Sequence, residues 1–475
     1  MVSLAKILRS NNVLSLANNG LIAVFGLLGF IILVRSLPTV DYGAWVLFIT
    51  AANFLDMLRF GITQTAIVRF LSGADEENGK SLIGSNYVIN LISTSVLAVV
   101  TYTIYFFAKD SIDNSGYYLF FQWFPLVAFI TLPFNSAMSV QQAKLRFDLI
   151  LVLRMINVGG FMLFLLINLI WFKSSVVVIM IAYILINATT SVVASVLNWD
   201  GVRYIFKASK QNIKTILDFG KYTTGTLIGS NLLKSADTFI IGLSPFLGTV
   251  GVAFYSIPMK LTEIIEIPLR SFAMTAFPEM SRASIEGRVE DVKRLYYRNS
   301  GGLTLLIIPV MIFSFFFAEE FVTIIGGAQY AITANIFRIF CIYGMLLPLD
   351  RFTGVALDAV NKPKQNFIKV IYMASANILG DSLVVFGLYY FVAIFTSVKL
   401  VSLGITDPVI FSKSLLTYST ITSLELVAIV TISFTLIGIF VGFKYLDEAL
   451  DLQFKKIFSE SFLFVKDFYY KFKNR

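Results

Sequence analysis

Residues 33–48 read LVRSLPTVDYGAWVLF. Two long apolar runs are interrupted there by Arg35, Pro38, Asp41 and Gly43. The interruption is either a turn inside a soluble core or a hairpin between two membrane spans. Composition decides between them. The 475-residue chain is 57% hydrophobic and 14% charged, with a mean hydropathy of +0.79. Soluble domains carry roughly 45–50% apolar and about 25% charged residues. Apolar runs of about 20 residues, the length that a hydrocarbon core demands, recur from end to end. They do not alternate as the strands of a membrane barrel do. The fold class is therefore an all-α polytopic membrane protein. In the opening stretch, Pro38 ends one span, Asp41 caps the next and Arg35 snorkels to the interface.

The runs predict twelve spans, over 13–35, 42–62, 84–107, 118–140, 149–172, 176–197, 217–242, 251–276, 300–318, 332–356, 366–395 and 416–443. Lys6 and Arg9 resemble the basic region of a signal peptide. Arg35 and Pro38 follow without a small-residue cleavage site, so the first span is expected to be retained. Lysine and arginine set orientation. With the N-terminus inside, the inner loops and tail carry 26 of them, and the outer loops carry only Lys109, Lys173, Lys399 and Lys413. Both ends are expected in the cytoplasm, and the net charge of +9 needs no nucleic acid to explain it. Cys341, in span ten, is the one cysteine, and there is no histidine. A Cys/His metal site and a histidine proton relay are thereby excluded.

The opening stretch recurs about 207 residues on, as IIGLSPFLGTVGVAFYS at 240–256. Pro38 and Gly43 correspond to Pro245 and Gly251, and the loops GADEENGKSL (73–82) and IEGRVEDVKRL (285–295) follow in matching places. Transporters are often built from such repeats. The reading is two parallel six-helix lobes around a central cavity: 1–198, an amphipathic basic linker at 199–216, 217–445, and a basic tail at 446–475 that lies on anionic membrane lipid.

RSLPTVDYGAW (35–45), FLDMLRFGI (54–62), KSADTFIIGLSPFLGTVGVAFYS (234–256), FAMTAFPEMSR (272–282) and NKPKQN (361–366) carry a resemblance across nearly the whole chain. The sequence resembles the polysaccharide-transport branch of the multidrug/oligosaccharidyl-lipid/polysaccharide exporters, which includes Wzx-type O-antigen flippases. Each motif alone is weak, and their order is the stronger signal. The resemblance implies no enzyme. It implies a flippase that carries an isoprenoid-diphosphate-linked oligosaccharide from the inner to the outer leaflet of a bacterial inner membrane. A polysaccharide polymerase and a chain-length regulator are its implied partners.

Ionisable side chains within spans are costly and mark function. Asp56/Arg59, Lys234/Asp237 and Lys260/Glu263 are spaced i,i+3 and Glu266/Arg270 i,i+4, so each pair shares a helix face. With Asn18, Asn19 and Asn53, these faces are expected to line a cavity. Lys234, Lys260, Arg59, Arg270 and Arg351 are candidate diphosphate contacts, since Arg and Lys replace the water stripped from such a group. The alternative is that each cation merely neutralises its neighbouring carboxylate or anchors a helix end. Asp237, Glu263, Glu266, Asp381 and Glu425 are candidates for H⁺ or Na⁺ coupling, with no other cofactor expected. Two other classes compete. An organic-cation antiporter would want an acidic cavity. A membrane polymerase or acyltransferase would want catalytic groups on a larger outer loop than 108–117 or 396–415.

Overall fold

The computed structural model describes residues 11–71, 74–405, 407–453, 457 and 461; the side chains of 11–19, 221–227 and 230 lie outside it. The described part is helical almost throughout. The long helices are α1 Asn11–Ser36, α2 Thr39–Leu71, α3 Glu76–Phe107, α4 Tyr118–Ala143, α5 Phe147–Phe172, α6 Val176–Val196, α7 Lys210–Leu243, α8 Gly248–Ile285, α9 Val289–Phe316, α10 Ala334–Ala359, α11 Pro363–Ser402 and α12 Pro408–Leu450.

Among the described residues, nine helical segments are long and apolar enough to cross a membrane. Three predicted spans fall outside that group. The described apolar part of α1, Gly20–Ser36, is short. The other two are α7 and α8, which carry Lys234, Asp237, Lys260, Glu263, Glu266 and Arg270. A count of twelve is not reached on apolarity alone.

The punctuation follows local chemistry. Pro38 separates α1 from α2, and its carbonyl accepts from Tyr42 N–H at 2.9 Å. Helix α2 begins at Thr39, earlier than expected, so Asp41 lies within the first turn, where a carboxylate complements the unpaired N–H groups. Asp75 caps α3 by accepting from Glu77 and Asn78 N–H, and Asp407 caps α12 by accepting from Val409 and Ile410 N–H. Glu286, in the turn after α8, is held by Arg282 and Arg288 below the usual carboxylate range.

The chain divides into two compact units, Met1–Asn231 and Leu232–Arg475, with the boundary inside α7. Their internal packing corresponds. In the first unit the fourth helix, α4, packs against α2, α3 and α6; in the second, its counterpart α10 packs against α8, α9 and α12. The linker residues do not stand free. Val202–Lys207 forms a 3-10 turn packed on α3. The Ser85 hydroxyl accepts from Ser209 N–H at 3.1 Å, and Gly84 lies so close that a Cβ would meet the Tyr204 carbonyl oxygen at 1.9 Å. Gly201, at φ +89°, makes the turn that brings this strap down.

The predicted tail begins later than expected, because α12 continues to Leu450. Gln453 N–H donates to the Tyr297 hydroxyl at 2.7 Å, and Leu452 and Ile457 join the core formed by Tyr296, Tyr297 and Leu446. Apart from the buried Ser461, the remainder of the tail lies outside the described residues.

Candidate functional site

In the first unit the sequence singles out Asp56 and Arg59. Arg59 is 1% exposed. Its guanidinium donates to Asp56 at 2.7 and 2.9 Å, to Thr131 Oγ1 at 2.7 Å, to the Ala128 carbonyl at 2.5 Å and to Thr94 Oγ1 at 3.2 Å. Every edge of the fork is used, by groups from α2, α3 and α4. In this arrangement Arg59 locks three helices together and presents no free N–H to a diphosphate. Asn53 is exposed, and the side chains of Asn18 and Asn19 lie outside the described residues.

The second unit contains two separate charged arrangements. The first is a partly exposed cluster along α8. Lys260 bonds Glu263 at 2.7 Å, and Arg270 bonds Glu266 at 2.9 Å, with Arg351 of α10 reaching Glu266 at 3.6 Å. Lys234 of α7 feels the charges of Glu266, Arg270, Arg351 and Glu263. Among the described residues of this cluster, four basic side chains thus stand against two carboxylates. Pro258, Pro268 and Pro278 interrupt the backbone bonding of α8 around this stripe.

The second arrangement is buried. Asp237 (α7) is 6% exposed and Asp381 (α11) 0%. Asp237 accepts from the Tyr255 hydroxyl at 2.6 Å, from Asn377 Nδ2 at 2.8 Å and, weakly, from Thr431 Oγ1 at 3.4 Å. Asp381 faces Asp237 one helical turn from Asn377. Among the described residues, no donor reaches either Asp381 oxygen or Asn377 Oδ1, all three of which are buried. Two ionised carboxylates cannot bond each other, whereas a carboxylate and a carboxylic acid that share one proton can.

The sequence reading proposed Asp237 and Asp381 separately, and the fold brings them together. It places Glu263 and Glu266 in the cationic cluster instead. Glu425 lies near Asn335 and Lys399, apart from the pair. Tyr255, Asn377 and Thr431 escaped notice because an uncharged polar side chain barely perturbs the hydropathy of a span. A further ion pair, Lys369–Asp350 at 2.5 Å, ties α11 to α10. Lys369 is buried and also donates to the Asp350 carbonyl at 3.0 Å, so this pair serves the packing.

With the geometry in hand, comparison with known proteins identifies the family. A family model described as polysaccharide biosynthesis protein matches residues 8–284. The chain belongs to that family. A stretch of 157 residues is 25% identical to the probable low-salt glycan biosynthesis flippase Agl15 of Haloferax volcanii, and this match spans 33% of either chain. Among solved structures, an inward-facing multidrug resistance MATE transporter of the MOP superfamily superposes with a TM-score of 0.69 at 15% identity, covering 90% of this chain and 94% of that one. The lipid II flippase MurJ, in an inward closed conformation, gives 0.65 at 12% identity, covering 96% and 90%. These likenesses show that the chain shares the fold of those two proteins. The family member described here is a multi-pass membrane protein, and the relatives named are flippases and transporters rather than enzymes.

Proposed function

We propose that this protein is a flippase for a lipid-linked oligosaccharide with an isoprenoid-diphosphate carrier, driven by a cation taken up at Asp237 and Asp381. The observation that carries the reading is the excess of cations over carboxylates on the accessible stripe of α8. Lys234, Lys260, Arg270 and Arg351 outnumber Glu263 and Glu266, and an anionic head group supplies the missing negative charge. An organic-cation antiporter would require the opposite sign there.

The coupling argument rests on chain position. Lys234 and Asp237 are one turn apart on α7, so a cation at the Asp237–Asp381 chamber and an anion near Lys234 act on the same helix. Filling the chamber would relieve the repulsion between two buried carboxylates and fix α7 against α11. That gives each ligand a differential effect on one element, which is what coupling requires. In this reading both termini are cytoplasmic, the membrane is a bacterial inner membrane, and the product feeds O-antigen, capsule or related assembly.

The test is surface display of the glycan in cells lacking the native gene. Alanine variants of Lys234 and Arg351 should reach the membrane at normal levels, reduce display, and leave glycan-lipid on the inner leaflet. Full display by well-expressed double variants would refute the anionic cargo. Altered resistance to organic cations with unchanged display would favour the antiporter.

A further inference from the structure

Arg154 lies within α5 and is a cation that the preceding argument does not use. It is partly buried, and its Nε is sealed from solvent without a partner. Among the described residues no ion pair or hydrogen bond reaches it, and the ring of Phe134 lies 5.8 Å from the guanidinium carbon. Two other arginines of the first unit are satisfied: Arg146 bonds Asp148 at 2.8 and 2.9 Å, and Arg59 is fully engaged. An arginine cannot shed its proton to escape burial, so a lone one is destabilising unless an anion completes it.

Its position in the fold gives a second, independent indication. Helix α5 widens into a π turn over Met155–Gly159, directly after Arg154. Helix α11 widens likewise over Leu383–Leu388, directly after Asp381 and Ser382. Both are the fifth long helices of their units, and π turns recur at functional sites. The two positions are not equivalent, since Arg154 lies early in α5, Asp381 lies near the middle of α11, and α5 carries a second π turn over Asn168–Phe172; what they share is a charged side chain beside a π turn.

We propose that Arg154 is an anion contact of the first unit that takes a phosphate group carried on a lipid. The guanidinium fork matches two phosphate oxygens, and the Phe134 ring supplies an apolar wall beside it. The phosphate comes either from the diphosphate of the cargo lipid or from the head group of an anionic phospholipid. The first source rests on the flippase reading, and the second does not.

The test uses the full chain in phosphatidylcholine nanodiscs. A short-chain polyprenyl diphosphate or phosphatidylglycerol is titrated in. The unfolding midpoint and the lipid retained in native mass spectrometry are read for wild type, Arg154→Met and Arg154→Lys. The methionine variant should keep or raise the unliganded midpoint, since an uncompensated charge is removed. It should also weaken at least one probe about tenfold, the effect of losing one charge-assisted contact. The lysine variant should fall between. Weakening confined to the diphosphate assigns the contact to cargo, and weakening confined to phosphatidylglycerol assigns it to the surrounding lipid. Undiminished binding of both probes by Arg154→Met overturns the inference, and with a lowered unliganded midpoint it makes Arg154 a packing residue. A wild type that binds neither probe overturns this inference and the flippase reading together, whereas diphosphate binding that Arg154→Met leaves intact leaves that reading standing.

Discussion

Replacing Asp381 by asparagine should separate stability from cation binding. Neither Asp381 oxygen has a donor among the described residues, so the substitution breaks no hydrogen bond present in the fold. It removes one of two facing carboxylates and is nearly isosteric, so Asp381→Asn should leave the midpoint in cation-free buffer unchanged or raise it. Asp237→Asn should behave differently. Asp237 accepts from Tyr255, Asn377 and Thr431, and an asparagine cannot accept on both of its terminal atoms. Losing a bond to a charged acceptor costs about 1.5–3 kcal/mol. The two variants should agree only in losing the cation. A saturating ligand at a hundred times its dissociation constant stabilises by about 2.7 kcal/mol. Removing one charged oxygen donor should weaken affinity about ten- to a hundredfold, which erases most of that gain at the same concentration. The assay is the unfolding midpoint of purified protein against NaCl, with choline chloride as the ionic-strength control, repeated across pH to detect a proton in place of sodium. A Na⁺- or pH-dependent shift of undiminished size in Asp381→Asn would refute the chamber as the coupling site.

Arg59→Met should destabilise the first unit by about 3 kcal/mol, the low end for breaking a buried pair, because Asp56 remains partly exposed. Membrane protein level and thermal midpoint read this, and a neutral result would remove Arg59 as a lock. Lys234→Ala should weaken cargo binding about ten- to a hundredfold while Lys234→Arg keeps part of it, read as glycan display normalised to protein level. Gly84→Ala should cost about 1–3 kcal/mol, since its Cβ would collide with the Tyr204 carbonyl, and limited proteolysis near Phe206 should accelerate. Cysteines placed at Ser111 and Ser402 should label from outside intact cells and one at Ser209 should not, while Cys341, fully buried, should stay unreactive. External labelling at position 209 would invert the topology.

Much of the architecture was legible because a bilayer imposes length and apolarity on each helix. The stretch around Pro38 and its echo at Pro245 foreshadowed the corresponding packing of α4 and α10. Helix ends were less legible. Helices α2, α8 and α12 run 33, 38 and 43 residues, because polar turns remain helical beyond the apolar run that hydropathy detects. The amphipathic helix Ala318–Gly326 was not foreseen, since it is too short to register as a span. Within the site, Asp237 and Asp381 stood out because charge in a span is costly, but their meeting depends on helix packing that no spacing encodes. Arg154 was overlooked because Arg146 and Asp148 lie just before it, and the three together look like the charged end of a span. The segment 199–216 reads as an amphipathic basic linker, and Gly84, Ser85, Asn78 and Ser81 of α3 show where it is held.

That strap bears on how the protein is made. The Ser85–Ser209 bond joins residues 124 apart in the chain, and Gly220 lies against Ile62, where a Cβ would meet the Ile62 carbonyl at 2.1 Å. A nascent chain that has inserted its first six helices therefore still lacks the segment that closes the unit. The first unit finishes maturing only after residues beyond 209 have left the ribosome, when synthesis of the second is already under way. A fragment stopping at 198 would carry every helix of α1–α6 and still lack its clasp, whereas one stopping just past 220 would carry it.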